Sequence, residues 1–151
     1  TSPAMFVTGD SSGELQFWNN QFQPFVAVPI PGESVSSIAI FGAYVAVAYG
    51  SGTIRLFLAQ TGELRVEIAA HSKWINAMAY CPLTNIIATV GDDNLVNIFR
   101  MPSEADARVH HIGHKIVKNR LLTGVSFAED GQTMFVAAFD VDKLLSFPVP
   151  Q

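Results

Sequence analysis

Four histidines, one basic block and several paired aspartates are the groups in this 151-residue chain with chemical potential. His110, His111 and His114 fall within five residues, a density that could ligate zinc. No cysteine joins them, however, and on a strand His110 and His111 point to opposite faces. His71 stands alone as a titrating or metal-binding candidate. The cluster His114, Lys115, Lys118 and Arg120 could meet an acidic segment of a partner, or it could be solvated charge paired with nearby aspartates. Lys73 and Trp74 are a second candidate contact: an exposed Trp anchors a partner well, whereas a Trp turned inward packs between structural units. Serines are numerous, but none sits in a strained elbow, and no Gly-rich phosphate loop precedes a helix. No catalytic constellation emerges, so the reading is of a protein that is not an enzyme, with no cofactor and no bound metal.

The elements that must position these residues repeat. Residues 87–99 read IATVGDDNLVNIF: an apolar run, an acidic turn, then an alternating run that ends in an aromatic. The same thirteen-residue pattern aligns without a gap at 6–18 (FVTGDSSGELQFW), 45–57 (VAVAYGSGTIRLF) and 135–147 (FVAAFDVDKLLSF). The closing aromatics Trp18, Phe57, Phe99 and Phe147 are 39, 42 and 48 residues apart. Ahead of the last three copies stand VSSIAI (35–40), INAMAY (75–80) and LTGVSF (122–127). Their small residues Ser37, Ala77 and Gly124 suit an innermost strand, where chains converge. A further strand follows each of the first three aromatics: FVAV at 25–28, ELRVEI at 63–68 and the weaker ARVHHI at 107–112.

Four short strands per period of about forty residues predict an all-β fold, a partial β-propeller of about four antiparallel blades. The first and last blades are incomplete. Each sheet needs a neighbour on both faces, which accounts for a hydrophobic content of 49%. The expected blades are residues 1–30, 31–70, 71–112 and 113–151.

The motifs resemble the WD-repeat family. Ala70-His71 stands for its Gly-His pair, Asp93 for its turn aspartate and Phe99-Arg100 for its closing Trp-Asp. The resemblance implies a hydrogen-bonded tetrad of His71, Thr89, Asp93 and Phe99, truncated at Phe99 because Phe has no indole N–H. Other repeats depart further, with Ser12, Ser51 and Val141 at the aspartate position. The resemblance implies a scaffold and no enzyme activity.

Composition limits the partners. A net charge of −4 argues against nucleic acid, whose phosphates require a basic surface. The single Cys81 precludes an internal disulfide and fits a reducing, cytoplasmic setting. Residues 1–20 lack a basic start followed by an apolar run, so no signal peptide is expected. The longest apolar run, near 38–49, is too short for membrane insertion.

The chain reads as beginning at the second strand of one blade and ending after the third strand of another. It is therefore expected to be the C-terminal fragment of a larger ring. Its end blades would seek the missing blades or a second copy, and self-association would follow. The spacing of 48 places an insertion between Met101 and Leu121, in the connection from the third blade to the fourth, where it would form a protruding basic loop. The leading functional expectation is an interaction scaffold that binds a protein or peptide across the blade-connection face, through Lys73, Trp74, His114, Lys115, Lys118 and Arg120. One alternative is a metal-site or enzymatic propeller using residues 110–114; another is a purely structural half-ring that mediates assembly.

Overall fold

A computed structural model of the chain describes residues 4–150, which form fourteen strands in four antiparallel sheets. The first sheet holds β1 (Phe6–Gly9), β2 (Leu15–Trp18) and β3 (Pro24–Val28). The second holds β4 (Val35–Phe41), β5 (Tyr44–Tyr49), β6 (Thr53–Leu58) and β7 (Leu64–Ala69). The third holds β8 (Ile75–Cys81), β9 (Ile86–Gly91), β10 (Leu95–Arg100) and β11 (His110–Ile116). The fourth holds β12 (Leu122–Phe127), β13 (Thr133–Ala138) and β14 (Leu145–Pro148). Strand order follows chain order within every sheet. The described residues contain no helix long and apolar enough to cross a membrane.

β4, β8 and β12 pack against one another in succession, so these are the innermost strands and the sheets are blades of an unclosed propeller. All three carry a bulge at one repeat position, which leaves Ser36, Asn76 and Thr123 out of register. A bulge sharpens local twist. The small Ser37, Ala77 and Gly124 follow it, and the Ser37 hydroxyl lies 3.5 Å from the Met78 carbonyl of the next blade. The outer strands share a second bulge. Phe25, Arg65 and Ile112 are skipped opposite Trp18, Phe57 and Phe99.

The cores lie between sheets rather than within them. Leu15, Phe17, Val45, Val47, Tyr49 and Phe57 fill the first gap. Ala46, Ile54, Leu56, Ile75, Ile87 and Phe99 fill the second. Ala88, Val96, Ile98, Leu122, Met134 and Val136 fill the third. β5 and β9 are therefore buried on both faces, and this is why they read as continuous apolar runs. Each fully buried Leu, Ile or Val contributes roughly 1.5–3 kcal/mol.

The structure differs from the sequence reading in the third and fourth blades. First, the outer strand of the third blade is not 107–112. His111 pairs with Phe99 as Leu64 pairs with Phe57, so the strand forms three residues later. The extra residues lie inside the third blade, between β10 and β11, and not in the connection to the fourth blade. A local clip holds them: Asp106 accepts hydrogen bonds from the Arg108 backbone N–H and guanidinium and pairs with His110 Nε2 at 2.8 Å. Second, the gap-free alignment fails in the fourth blade. Phe6, Val45 and Ile87 pair with Trp18, Phe57 and Phe99, but Met134, not Phe135, pairs with Phe147. A one-residue slip exchanges the faces of a strand. Met134, Val136 and Ala138 thus face the third blade. The longer turn after Ala138, with Asp140 at φ 55°, absorbs the extra residue.

Two buried polar groups between the first two blades stand out. The Tyr49 hydroxyl and one Arg55 guanidinium nitrogen lack hydrogen-bond partners. Arg55 lies 4.9 Å from the Tyr49 ring centroid and pairs with Glu67 and Glu33. Burial pushes the Tyr49 hydroxyl up to about 12. Tyr49→Phe is expected to leave stability unchanged or raise it by about 1 kcal/mol, since an unpaired buried hydroxyl is a cost. A loss above about 1 kcal/mol in urea unfolding would show instead that the hydroxyl is engaged by Arg55.

Candidate functional site: the blade-connection face

The connections between blades and the turns between second and third strands emerge at one end of the sheets, and backbone bonds tie them together. Gly50, Asp92 and Phe139, each just past a second strand, donate N–H to the carbonyls of Ser34, Trp74 and Leu121, each just before an innermost strand. Gly13, Gly52 and Asn94 occupy one repeat position and all have positive φ. Their carbonyls accept N–H groups from the next connection: Ile30 on Gly13, His71 and Ala70 on Gly52, and Val117 on Asn94. Each left-handed turn therefore pins the strap that leads into the following blade.

In the third blade a side-chain relay reinforces the pin. His71 Nδ1 is 2.8 Å from Asp93 Oδ1, and His71 Nε2 is 2.9 Å from Thr89 Oγ1. A carboxylate only accepts, so His71 donates its Nδ1–H to Asp93 Oδ1. The Thr89 hydroxyl engages the other ring nitrogen, Nε2, and so holds the imidazole from both sides. Asp93 also accepts the Ser72 N–H at 3.0 Å and the Leu95 N–H at 3.2 Å. Burial alone would raise the Asp93 carboxyl, but the bonds from His71, Ser72 and Leu95 outweigh it and hold it below its ordinary range. Gly91 leaves room for the ring, since a Cβ there would stand 2.7 Å from His71 Nδ1. The relay stops at Thr89. Phe99 has no donor and instead lies against the His111 ring, centroids 5.1 Å apart. The complementary half of the relay occurs in the first blade, where Trp18 Nε1 donates to Thr8 Oγ1 at 3.0 Å. Asp10, two residues ahead of Ser12, braces that turn by accepting from the Ser12 and Glu14 N–H groups.

Lys73 and Trp74 lie on the strap before β8. Lys73 is exposed. The Trp74 ring rests on Gly50 of the second blade, where a Cβ would stand 2.3 Å from it, yet the residue remains 42% exposed. Packing between blades and exposure to a partner therefore coexist in one side chain. Lys118 and Arg120 lie exposed on the strap before β12, one blade further round. His114 and Lys115 belong to β11, on the outer edge of the third blade, and not to a protruding loop. His110 Nε2 is taken by Asp106 and His111 Nε2 by Asn97 Oδ1 at 3.1 Å, while the His111 and His114 rings stack. Among the described residues, no group of three or more His, Cys, Asp and Glu converges to hold a metal.

Two polar residues escaped the sequence reading. Buried Asn97 donates to the Ala70 carbonyl and so ties β10 to the strap. Asn76, the bulged residue of β8, bridges Asp92 Oδ1 at 2.6 Å and the Leu122 carbonyl at 2.8 Å, joining the third blade to the fourth. The available signal was a polar residue interrupting an apolar strand.

Comparison with known proteins supplies the family. The WDR54 family model matches residues 2–149. WD repeat-containing protein 54 of Mus musculus is 29% identical over 150 residues, covering 95% of this chain and 45% of that protein. The Homo sapiens protein of the same name is 28% identical with the same coverage. Actin-interacting protein 1 of Drosophila melanogaster is 30% identical, over 89% of this chain and 22% of that protein. The chain thus spans less than half the length of the WD repeat-containing protein 54 relatives it matches. A crystal structure of the computationally designed Ika4 protein superposes with a TM-score of 0.76 at 18% identity, covering 99% of this chain and 88% of that one, a likeness of fold alone. By the match over residues 2–149, this chain belongs to the WDR54 family of WD-repeat proteins.

Proposed function

We propose that this chain is a non-catalytic scaffold that binds a protein or peptide on the blade-connection face, with Trp74 as the anchor. WD-repeat relatives support protein interaction as the general role. The observation that carries the finer reading is the half-exposed Trp74 ring on Gly50. The relay through Asp93 fixes the strap beneath it, so little ordering entropy remains to be lost on binding. Lys73 on one strap and Lys118 and Arg120 on the next give a basic border that suits an acidic partner segment.

The faces of the end blades support a second element of the proposal. Phe22, beside the Phe6 ring that stacks on Trp18, is 68% exposed, as is Phe139, and Leu144 is 65% exposed. We propose that further blades of one ring cover both faces, in keeping with relatives about twice as long. In such a ring the chain works in a reducing, cytoplasmic compartment.

Affinity capture followed by quantitative mass spectrometry tests the binding face. Partners bound by the wild-type chain are expected to fall at least tenfold with Trp74→Ala, and severalfold with Lys118→Glu/Arg120→Glu at low salt. His114→Ala/Lys115→Ala, on the outer edge, is expected to leave them unchanged. Loss with the outer-edge pair but not with Trp74→Ala would move the site to the blade rim and overturn the proposal.

A further inference from the structure

The end of the sheets opposite the blade connections carries a groove of about 380 Å³ between the second and third blades. Its walls come from the β4–β5 turn, the end of β8 and the start of the extra segment between β10 and β11. The half-buried Tyr44 and Tyr80 supply aromatic surface, and exposed Glu104 supplies a carboxylate at the mouth. Buried Phe41 stacks on Tyr80 at 4.6 Å and lies 6.0 Å from Tyr44, so it backs both tyrosine rings in the groove wall. No lysine, arginine or histidine lines the groove, so its only formal charge is negative.

The groove is built rather than incidental. Asn85 turns the chain with φ 53°. Its Oδ1 accepts the Tyr80 hydroxyl proton at 3.1 Å, and its Nδ2 donates to the Met101 and Pro102 carbonyls at 2.9 and 3.2 Å. One side chain thus sets both the Tyr80 ring and the segment that presents Glu104. With these groups engaged, the groove offers a passing ligand aromatic faces and a carboxylate.

Aromatic faces attract cations through the ring quadrupole, and a carboxylate at the rim adds a counter-charge. A lysine reaches in as a cationic tip on an apolar stem, which matches a groove of apolar walls and a charged mouth. From this juxtaposition we infer that the groove receives the alkylammonium end of a lysine side chain presented by a protein partner. The site lies on the face opposite Trp74 and stands independently of the proposal for that face.

Titration of the full chain with capped Gly-Gly-X-Gly-Gly peptides tests this, with X as lysine, trimethyllysine or norleucine, read by NMR at the tyrosine rings. Lysine and trimethyllysine peptides are expected to shift Tyr44 and Tyr80 signals, and the norleucine peptide to bind about tenfold more weakly. Tyr44→Phe keeps the π face and is expected to retain binding, while Tyr44→Leu weakens it about tenfold. Glu104→Gln is expected to weaken binding severalfold at low salt, with the difference vanishing near 1 M salt. Equal binding of the norleucine peptide would reduce the groove to an apolar slot and overturn the inference. So would an unchanged affinity in a folded Tyr44→Leu variant. Tetramethylammonium binding more tightly than either cationic peptide would overturn the assignment to a protein partner.

Discussion

Gly52→Ala is expected to lower stability by more than about 3 kcal/mol and the unfolding midpoint by about 10 °C. Two costs combine. A non-glycine residue in the left-handed region costs roughly 1–2 kcal/mol, and Gly52 sits at φ +89°. The new Cβ would also stand 2.2 Å from the His71 carbonyl oxygen and 2.8 Å from that of Lys73. Both obstacles are backbone, so no side chain can rotate away. Relief requires the strap to lift, and lifting it breaks the bonds from His71 and Ala70 to the Gly52 carbonyl. Gly42→Ala separates the two terms. Gly42 also has positive φ, at +51°, but nothing lies within 4 Å of its Cβ position. Its cost is expected to stay near 1 kcal/mol. Thermal unfolding of both variants decides the matter: equal losses would mean that backbone conformation alone governs the position and that the pin carries no weight.

Asp93→Ala is expected to cost about 3 kcal/mol at pH 7, because it strands the His71 Nδ1–H and the Ser72 and Leu95 N–H groups together. The pH dependence has a definite sign. The folded-state carboxyl of Asp93 lies below its ordinary 3.8. Its ionised form therefore stabilises the fold above the unfolded value, and that contribution fades as pH falls through the folded one. Asp93→Asn cannot titrate. The stability gap between wild type and Asp93→Asn is expected to be constant above about pH 5 and to shrink below 3.8. Urea unfolding at pH 7 and pH 3 measures it. A gap that is the same at both values would assign the stabilisation to shape rather than to charge.

The sequence revealed the blades because its signal is periodic. Aromatics at 18, 57 and 99 mark equivalent register positions, and alternation does the rest. The slip in the fourth blade escaped notice for a physical reason. Met134 and Phe135 are both apolar and flank the same position, so either could face the third blade. Only the length of the turn after Ala138 decides between them. The outer strand of the third blade escaped for a related reason. ARVHHI has the right alternation, but Asp106 captures Arg108 and His110 in a local clip, and pairing starts only at His110. Of the candidate site, His71, Asp93 and Thr89 were legible through the resemblance to WD-repeat proteins, which implies a His, a Ser or Thr and an Asp at those positions. The position of Trp74 was not, because it depends on a glycine in the preceding blade.

Because every apolar cluster lies between two sheets, no single blade can be excised with its interior intact. A truncation at any strap, however well it respects strand boundaries, splits one cluster and strips half its lining. The natural cutting unit for a shortened version is therefore a pair of adjacent sheets with the filling they share. The shortest such piece with both partners four-stranded runs from β4 to β11.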